Sequence, residues 1–155
     1  TFTLRVTYGA VEGWVEKGEP VYPFTTMGRT FERATGEDPF RLPQSWLDAR
    51  EQIDPETRYN FVSTTDITGG NSGSPVINAH GELMGIAFDG NWEAMSGDVA
   101  FEPVLQKCIN VDIRYVLFVI DKFAGARHLV DEMTLVTEAA PAVEAAPVEA
   151  EAAEE

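Results

Sequence analysis

Apolar and polar residues alternate along several short stretches of the chain, with the period of two that is typical of half-buried β-strands. The alternation is clearest near the start, where polar residues separate Phe2, Leu4, Val6 and Tyr8. Strand-like patterns occur at residues 1–9, 11–15, 59–64, 75–78, 83–88 and 98–102. Residues 79–81, Ala-His-Gly, would join two of these strands as a hairpin. The pattern therefore predicts a mainly β fold.

Helical spacing of apolar residues interrupts this β pattern in four places. The segments are residues 25–34, 43–54, 110–125 and 127–133. The first two predict a helical insertion at about residues 18–56. In the third, Asn110 is a good N-cap, Asp112 would lie in the first turn, where the helix dipole favours a negative charge, and Gly125 would end the helix. The sequence thus predicts terminal helices at about residues 110–133.

Charge and composition divide the 155 residues into a body and a tail. Residues 137–155 are a low-complexity segment of Ala, Pro, Glu and Val, which we expect to be a disordered, solvated tail. The formal net charge is −15, and without the six glutamates of the tail it is −9. Such a negative charge argues against nucleic acid or an anionic membrane surface as a partner. Residues 1–136 are long enough for one domain.

Several other kinds of site are not expected. The chain contains no run of 18 apolar residues, so no membrane span is predicted. The single cysteine, Cys108, cannot form an internal disulfide and lacks the spacing of a metal ligand, so we expect it to be a small buried residue. We predict no metal site and no cofactor.

The candidate chemistry lies in the sequence TGGNSGSP at residues 68–75, which places a serine between glycines where one predicted strand ends and another begins. Flanking glycines permit a tight turn that lifts the Ser72 hydroxyl clear of its own backbone, as a nucleophile requires. In the right conformation, the backbone N–H groups of Gly70 and Ser72 would converge as an oxyanion hole. A glycine- and serine-rich β-turn without chemistry is the alternative interpretation.

The strand after this loop favours the catalytic interpretation. Residues 83–90, LMGIAFDG, form an apolar run that ends in a glycine. Loop and strand together resemble those of trypsin-like proteases, in which a Gly-Asp-Ser-Gly-Gly-Pro loop precedes a hairpin and a strand whose last residues form one wall of the S1 pocket. Asn71 stands where trypsin-like zymogens carry an aspartate that pairs with a new amino terminus. The resemblance therefore implies that no activation cleavage is needed.

A closer resemblance rests on four longer segments, at residues 68–76, 88–93, 111–122 and 131–133. These segments are similar to the bacterial serine dipeptidyl peptidases 7 and 11, of the chymotrypsin-like clan, and the similarity extends over about residues 2–136. The resemblance implies a double β-barrel with a helical domain, of which this chain would be the second barrel followed by a carboxyl-terminal helix. It also implies an exopeptidase that acts on peptides with a free amino terminus, and that this chain is the carboxyl-terminal part of a longer enzyme.

Phe88, Asp89 and Gly90 are the expected substrate-binding residues. At the position of Gly90, dipeptidyl peptidase 11 carries an arginine that selects acidic P1 side chains, so glycine implies an open, uncharged pocket and a preference for apolar P1 residues. Asp89 is expected to bind the free amino terminus, because strand alternation would place its side chain opposite that of Gly90. A surface aspartate in an Asp-Gly turn is the alternative.

No general base is expected within the chain. His80 lies in a hairpin turn that should carry it away from Ser72, and His128 lies beyond the end of the third helix. The resemblance implies that the triad histidine and aspartate lie upstream. It also implies a periplasmic or cell-surface location in a Gram-negative bacterium and a possible homodimer. The competing function is a non-catalytic, protease-like module that binds peptide ends.

Overall fold

The computed structural model describes residues 4–137, which form a mainly β domain with short helices. The strands are β1 (Trp14–Glu16), β2 (Glu19–Val21), β3 (Phe24–Thr26), β4 (Arg58–Ser63), β5 (Pro75–Ile77), β6 (Leu83–Gly90) and β7 (Cys108–Asp112). The α-helices are α1 (Met27–Glu32), α2 (Gln44–Asp48), α3 (Ile113–Phe118) and α4 (Arg127–Asp131). Short 3-10 helices cover Arg50–Gln52 and Trp92–Ser96, and a π-helical turn covers Val119–Phe123.

Five strands form one antiparallel sheet in the order β3-β4-β7-β6-β5, and β1 pairs with β2 in a separate hairpin. The strands predicted at residues 59–64, 75–78 and 83–88 are confirmed as β4, β5 and β6. In the described part of the chain, β3 and β5 are free edges of this sheet. The sheet is therefore open, and the closed barrel expected from the resemblance is not formed by these residues.

The core centres on Phe61 of β4, which is 1% exposed. A Cβ atom placed on Gly85 of β6 would lie 2.7 Å from Phe61 Cε1 and closer still to Val111 O. The aromatic ring thus occupies the space that a side chain at position 85 would need, and glycine is required there because the interior is close-packed. The other buried apolar side chains are those of Met27, Ile53, Ala87, Cys108 and Val130.

The central strand β7 corrects the prediction that Asn110 caps a helix. Its burial alternates, but two of the inward-facing residues, Asn110 and Asp112, are polar, and this hid the strand period. Asn110 Nδ2 donates to Ser63 Oγ across the β4–β7 pair at 3.0 Å, so the buried amide has a partner. Asp112 is the N-cap of α3 rather than a first-turn residue, since it accepts a hydrogen bond from the Arg114 N–H at 2.9 Å.

Cys108 is buried, as predicted. Burial raises the pKa of the Cys108 thiol above its usual range, and hydrogen bonding to Thr65 and Ser63 opposes that rise only in part. The thiol also donates to Asn110 Oδ1 at 3.2 Å. A buried, protonated thiol is unreactive, so the cysteine belongs to the polar interior of the sheet and not to the chemistry.

The strand predicted at residues 1–9 is not formed within its described part, residues 4–9. Leu4, Val6 and Tyr8 are 97%, 86% and 92% exposed. The segment makes its first bridge to the sheet only at Val11, opposite Ser63, because no strand lies beside the earlier residues in the described part of the chain. The strand predicted at residues 11–15 is confirmed only in its last part, as the start of β1.

The strand predicted at residues 98–102 is also wrong, and a side chain explains why. Gln106 Oε1 accepts a hydrogen bond from the Glu102 N–H at 3.0 Å, and Gln106 Nε2 donates to Ala100 O at 3.1 Å. The backbone of this segment is therefore bonded to a buried amide instead of a neighbouring strand.

The helices predicted at residues 25–34 and 43–54 are confirmed in shorter form as α1 and α2. The predicted insertion at residues 18–56 contains these helices together with β2 and β3. α2 is attached to the rest of the fold by Trp46, whose ring lies about 6 Å from four other rings. These rings belong to Phe31, Tyr59, Tyr115 and Phe123.

The terminal helices predicted at about residues 110–133 begin only at Ile113, because residues 110–112 belong to β7; from there α3 continues into the π-helical turn and α4 follows. Gly125, with a φ of 60°, separates the two, as a helix stop should. The tail predicted at residues 137–155 lies outside the described residues, apart from Thr137. None of the helices within residues 4–137 has the length and apolar character needed to cross a bilayer.

The packing of Phe61 on Gly85 yields a stability prediction. Gly85→Ala should destabilise the 155-residue chain by about 1–3 kcal/mol, because the added methyl group overlaps the ring and cannot be absorbed without moving a strand. Gly69→Ala is the matched control, since a Cβ atom there would meet nothing within 4 Å. Urea unfolding followed by circular dichroism measures both. Equal unfolding midpoints for the two variants would contradict this description of the core.

Candidate active site

The loop between β4 and β5 holds the predicted nucleophile on an exposed turn. Two of its glycines, Gly70 and Gly73, have φ angles of 93° and 91°, which L side chains rarely adopt. Asn71 closes the turn twice: its N–H donates to Thr68 O at 3.1 Å, and its Oδ1 accepts from the Thr68 N–H at 2.8 Å. Ser72 is exposed at the tip. The segment between the strands thus forms the tight glycine turn that the sequence predicted.

Ser72 lies against the end of β6. Its Oγ donates a hydrogen bond to Phe88 O at 3.0 Å. Phe88 is the extra residue of a β-bulge, because Ala87 pairs with Asn110 and Asp89 with the adjacent Ile109. A bulged residue is left out of the ladder, so its carbonyl can accept from a side chain. The bulge therefore brings the serine beside the predicted substrate-binding residues.

Backbone hydrogen bonds fix the loop in this position. The Gly73 N–H donates to Ala87 O at 2.8 Å, and the Ala87 N–H donates to Ser74 O at 2.9 Å. In contrast, among the described residues neither the Gly70 N–H nor the Ser72 N–H has an acceptor. Two N–H groups without partners in a tight turn are what an oxyanion hole needs. Their convergence on one point stays a prediction.

Asp89 and Gly90 follow directly after the carbonyl that Ser72 contacts. Asp89 is exposed, and one of its carboxylate oxygens, Oδ1, accepts from the Gly90 N–H at 2.8 Å. Gly90 is partly exposed, and a Cβ atom placed on it would lie 2.7 Å from the Cβ of Ala94. The structure thus brings Ser72, Phe88, Asp89 and Gly90 together at one end of the sheet.

A loop that the sequence reasoning missed covers this end of the sheet. It runs from residue 91 to residue 107 and is held by two buried amides, Asn91 and Gln106. Asn91 Nδ2 donates to Leu105 O at 2.7 Å, and Asn91 Oδ1 accepts from the Lys107 N–H at 2.8 Å. Asn and Gln in a segment without periodic apolar residues carry no strand or helix signal, so only the buried position shows their role.

The same loop also contacts the nucleophile loop. Thr68 Oγ1 donates to Asp98 Oδ1 at 3.0 Å. Because Asn71 holds the backbone of Thr68, this bond connects the covering loop to the turn that carries Ser72. The covering loop and the turn that carries Ser72 are thus fixed relative to each other.

Neither histidine lies near the serine. His80 is in the turn between β5 and β6, whereas Ser72 lies at the opposite end of this hairpin. His128 is in α4, which packs on the π-helical turn. The Ser72 hydroxyl donates to a backbone carbonyl, which cannot take up its proton. Among the described residues, the Ser72 hydroxyl therefore has no histidine as its hydrogen-bond partner.

Within residues 4–137, no three His, Cys, Asp or Glu side chains are grouped as metal ligands. What the described residues offer is an exposed hydroxyl, two free N–H groups, a carboxylate and a small open wall. This set matches acyl transfer by a serine.

Comparison with known proteins gives the family. The sequence profile described as Peptidase S46 matches residues 1–135. The chain belongs to the peptidase S46 family. Among curated relatives, the chain is 49% identical over 146 residues to dipeptidyl-peptidase 7 of Phocaeicola vulgatus, covering 87% of this chain and 20% of that protein. It is 46% identical over 145 residues to the Asp/Glu-specific dipeptidyl-peptidase of Capnocytophaga gingivalis, covering 86% and 20%.

Solved structures of the S46 family agree with the fold. The crystal structure of Porphyromonas endodontalis DPP11 in complex with the dipeptide Arg-Asp matches with a TM-score of 0.72 and 38% identity, over 81% of this chain and 20% of that one. The chain thus spans about a fifth of the length of the S46 relatives it matches. The expected resemblance to dipeptidyl peptidases 7 and 11 is confirmed.

The role of Asn71 in the turn can be tested without any assay of activity. In the 155-residue chain, Asn71→Ala should speed hydrogen exchange of the Thr68 amide by roughly three- to tenfold, since it removes the acceptor of that N–H. Asn71→Asp keeps an acceptor oxygen and should exchange much like the original. NMR-detected exchange, referenced to the Ala87 amide of the β5–β6 hairpin, measures both. Unchanged exchange in Asn71→Ala would show that this side chain does not hold the turn.

Proposed function

We propose that this chain supplies the nucleophile, the oxyanion hole and one wall of the S1 pocket of a serine-type dipeptidyl peptidase. The observation that carries the proposal is the hydrogen bond from Ser72 Oγ to Phe88 O, which places an exposed serine beside Asp89 and Gly90. The names of the S46 relatives support the reaction class. We call the proposed longer protein that contains this chain the parent enzyme.

The parent enzyme would use Ser72 in acyl transfer. An upstream histidine, oriented by an upstream aspartate, would accept the proton of Ser72 Oγ as this oxygen attacks the carbonyl carbon of the second residue of the peptide. The Ser72 hydroxyl must then turn from Phe88 O toward that base. The negative oxygen of the tetrahedral intermediate would face the N–H groups of Gly70 and Ser72. Loss of the protonated amine leaves an acyl-enzyme on Ser72, which water hydrolyses to release the dipeptide.

The fold of the parent enzyme must also supply the general base that Ser72 needs. The open sheet would be part of the second barrel of a chymotrypsin-like double barrel, with the base on the first barrel. Its two free edges, β3 and β5, leave room for further strands of the parent enzyme. A periplasmic or cell-surface location and a homodimeric parent enzyme belong to the same proposal, and the family resemblance supports them.

Asp89 is the proposed anchor for the free amino terminus of the substrate. An enzyme that removes two residues must measure from that positive charge, and Asp89 follows the carbonyl that Ser72 contacts. Its carboxylate is exposed, and one oxygen, Oδ1, accepts from the Gly90 N–H. The other oxygen is available to accept from an ammonium group.

The parent enzyme would prefer apolar P1 residues, and this preference would depend on Gly90. Within residues 4–137, neither Phe88 nor Gly90 offers a cation that would compensate a desolvated carboxylate. Lys107, whose carbonyl lies 3.9 Å from a Cβ placed on Gly90, directs its Nζ to Pro103 O at 2.8 Å instead. S46 relatives named dipeptidyl-peptidase 7 and relatives named Asp/Glu-specific are similar to this chain at 49% and 46% identity, so overall identity does not separate the two preferences.

The first functional prediction concerns Ser72. In the parent enzyme, Ser72→Ala should lower kcat for a dipeptidyl substrate by several orders of magnitude with little change in thermal stability, because the exposed hydroxyl contributes one hydrogen bond to the fold. The 155-residue chain alone should show no measurable turnover. If the parent enzyme binds dipeptides but hydrolyses none, the protein is a peptide-binding module. Full activity of the isolated chain would overturn the proposed division between nucleophile and base.

The second functional prediction concerns Asp89. Asp89→Asn in the parent enzyme should lower kcat/KM by roughly one to three orders of magnitude for a substrate with a free amino terminus, because it removes the charge opposite the ammonium group. The variant keeps an oxygen for the Gly90 N–H. Asp48→Asn on α2, also an exposed acceptor, is the matched control and should change little. If discrimination between free and acetylated substrates survives Asp89→Asn, Asp89 is not the anchor.

A further inference from the structure

We infer that Ala94 determines P1 specificity together with Gly90, an inference that rests on the function proposed above. The relevant contact is short: a Cβ atom on Gly90 would lie 2.7 Å from the Cβ of Ala94. Real Cβ atoms do not approach this closely, so the methyl group of Ala94 fills the space into which any side chain at position 90 would begin. The wall that a P1 side chain meets beyond Gly90 is therefore the methyl group of Ala94.

Ala94 is held firmly in this place. It lies within the 3-10 helix Trp92–Ser96, where its N–H donates to Asn91 O at 3.0 Å and its carbonyl accepts from the Gly97 N–H at 2.9 Å. At the start of this helix, Asn91 is buried and is bonded to Lys107 through both its backbone and its side chain. Moving Ala94 away from Gly90 would break these bonds.

The far end of the helix is held in a similar way. The buried side chain of Gln106 donates from Nε2 to Ser96 Oγ at 3.0 Å. Because the helix is bonded at both ends, moving it to make room for a larger residue at position 90 would cost these hydrogen bonds. Because Ala94 is only partly buried, its methyl group remains accessible to a bound side chain.

Two consequences follow for the P1 pocket. A larger residue at position 94 would shorten the pocket, so long P1 side chains would lose more than short ones. A cation at position 90 would be accommodated only if residue 94 lost its methyl group. The two positions should therefore act as a pair, and their substitutions should be non-additive.

The experiment measures kcat/KM of the parent enzyme on dipeptidyl substrates that differ only in P1, namely Ala, Met, Phe and Asp. Ala94→Leu should lower kcat/KM for P1 Phe and Met relative to P1 Ala by about tenfold or more. Gly90→Arg alone should raise kcat/KM for the P1 Asp substrate only a little. Gly90→Arg combined with Ala94→Gly should give a kcat/KM for that substrate about tenfold or more above that of Gly90→Arg alone. Met95→Ala, an exposed neighbour on the same helix, is the control and should leave the P1 ranking unchanged.

The outcomes separate this inference from the proposed function. If Ser72-dependent dipeptidyl hydrolysis persists but the P1 ranking is the same in Ala94→Leu, or if Gly90→Arg alone switches preference to Asp, the inference about Ala94 is wrong and the function stands. If the parent enzyme hydrolyses no dipeptidyl substrate, the function itself is wrong. If Ala94→Leu misfolds, Ala94→Gly provides the test. It should raise the ratio of kcat/KM for P1 Phe to kcat/KM for P1 Ala above that of the unmodified enzyme. An unchanged ratio would overturn the inference.

Discussion

The hydrogen bond between Ser72 and Phe88 depends on how β6 pairs with its two neighbours. β6 is bonded to β5 on one side and to β7 on the other, and it bulges at Phe88, where its carbonyl leaves the ladder. The loop that enters β5 is aligned with β6 by the bonds of Gly73 and Ser74 to Ala87. The serine therefore faces that carbonyl as a result of strand register, and Asp89 and Gly90 come beside it because they are next along the strand.

The register of β6 depends in turn on the interior of the sheet. The ring of Phe61, on β4, fills the space next to Gly85 of β6. The buried side-chain amide of Asn110 donates a hydrogen bond to Ser63 Oγ of the neighbouring strand. Both contacts lock β7 between β4 and β6. The covering loop then adds a second constraint, since Asn91 holds it to the end of β6 and Asp98 holds it to Thr68. In the proposed enzyme, the chain would supply one side of the catalytic cleft, and the proton acceptor would come from another part of the protein.

The elements that could be predicted from the sequence are those in which the hydrophobic period and the turn residues agree. The β5–β6 hairpin, the glycine turn around Ser72 and the short helices after Thr26 and Pro43 are of this kind. β7 could not be placed correctly because Asn110 and Asp112 face inward, and a polar residue at a buried position looks like a cap. Asn91, Gln106 and Ala94 gave no signal, because their contacts form within an irregular segment that has no hydrophobic period. The position of His80 in the turn of the β5–β6 hairpin, at the end opposite Ser72, could by contrast be expected from the hairpin pattern.

In the proposed enzyme, Ser72 is the nucleophile of a site that recognises a free amino terminus. The most direct measurement treats the parent enzyme with a dipeptidyl diphenyl phosphonate, which forms a stable bond only with an activated serine, and locates the adduct by peptide mass spectrometry. We predict one adduct, on Ser72, and much slower labelling when the amino terminus of the reagent is acetylated. An adduct on a different serine, or inhibition of dipeptide release with Ser72 unmodified, would contradict the account.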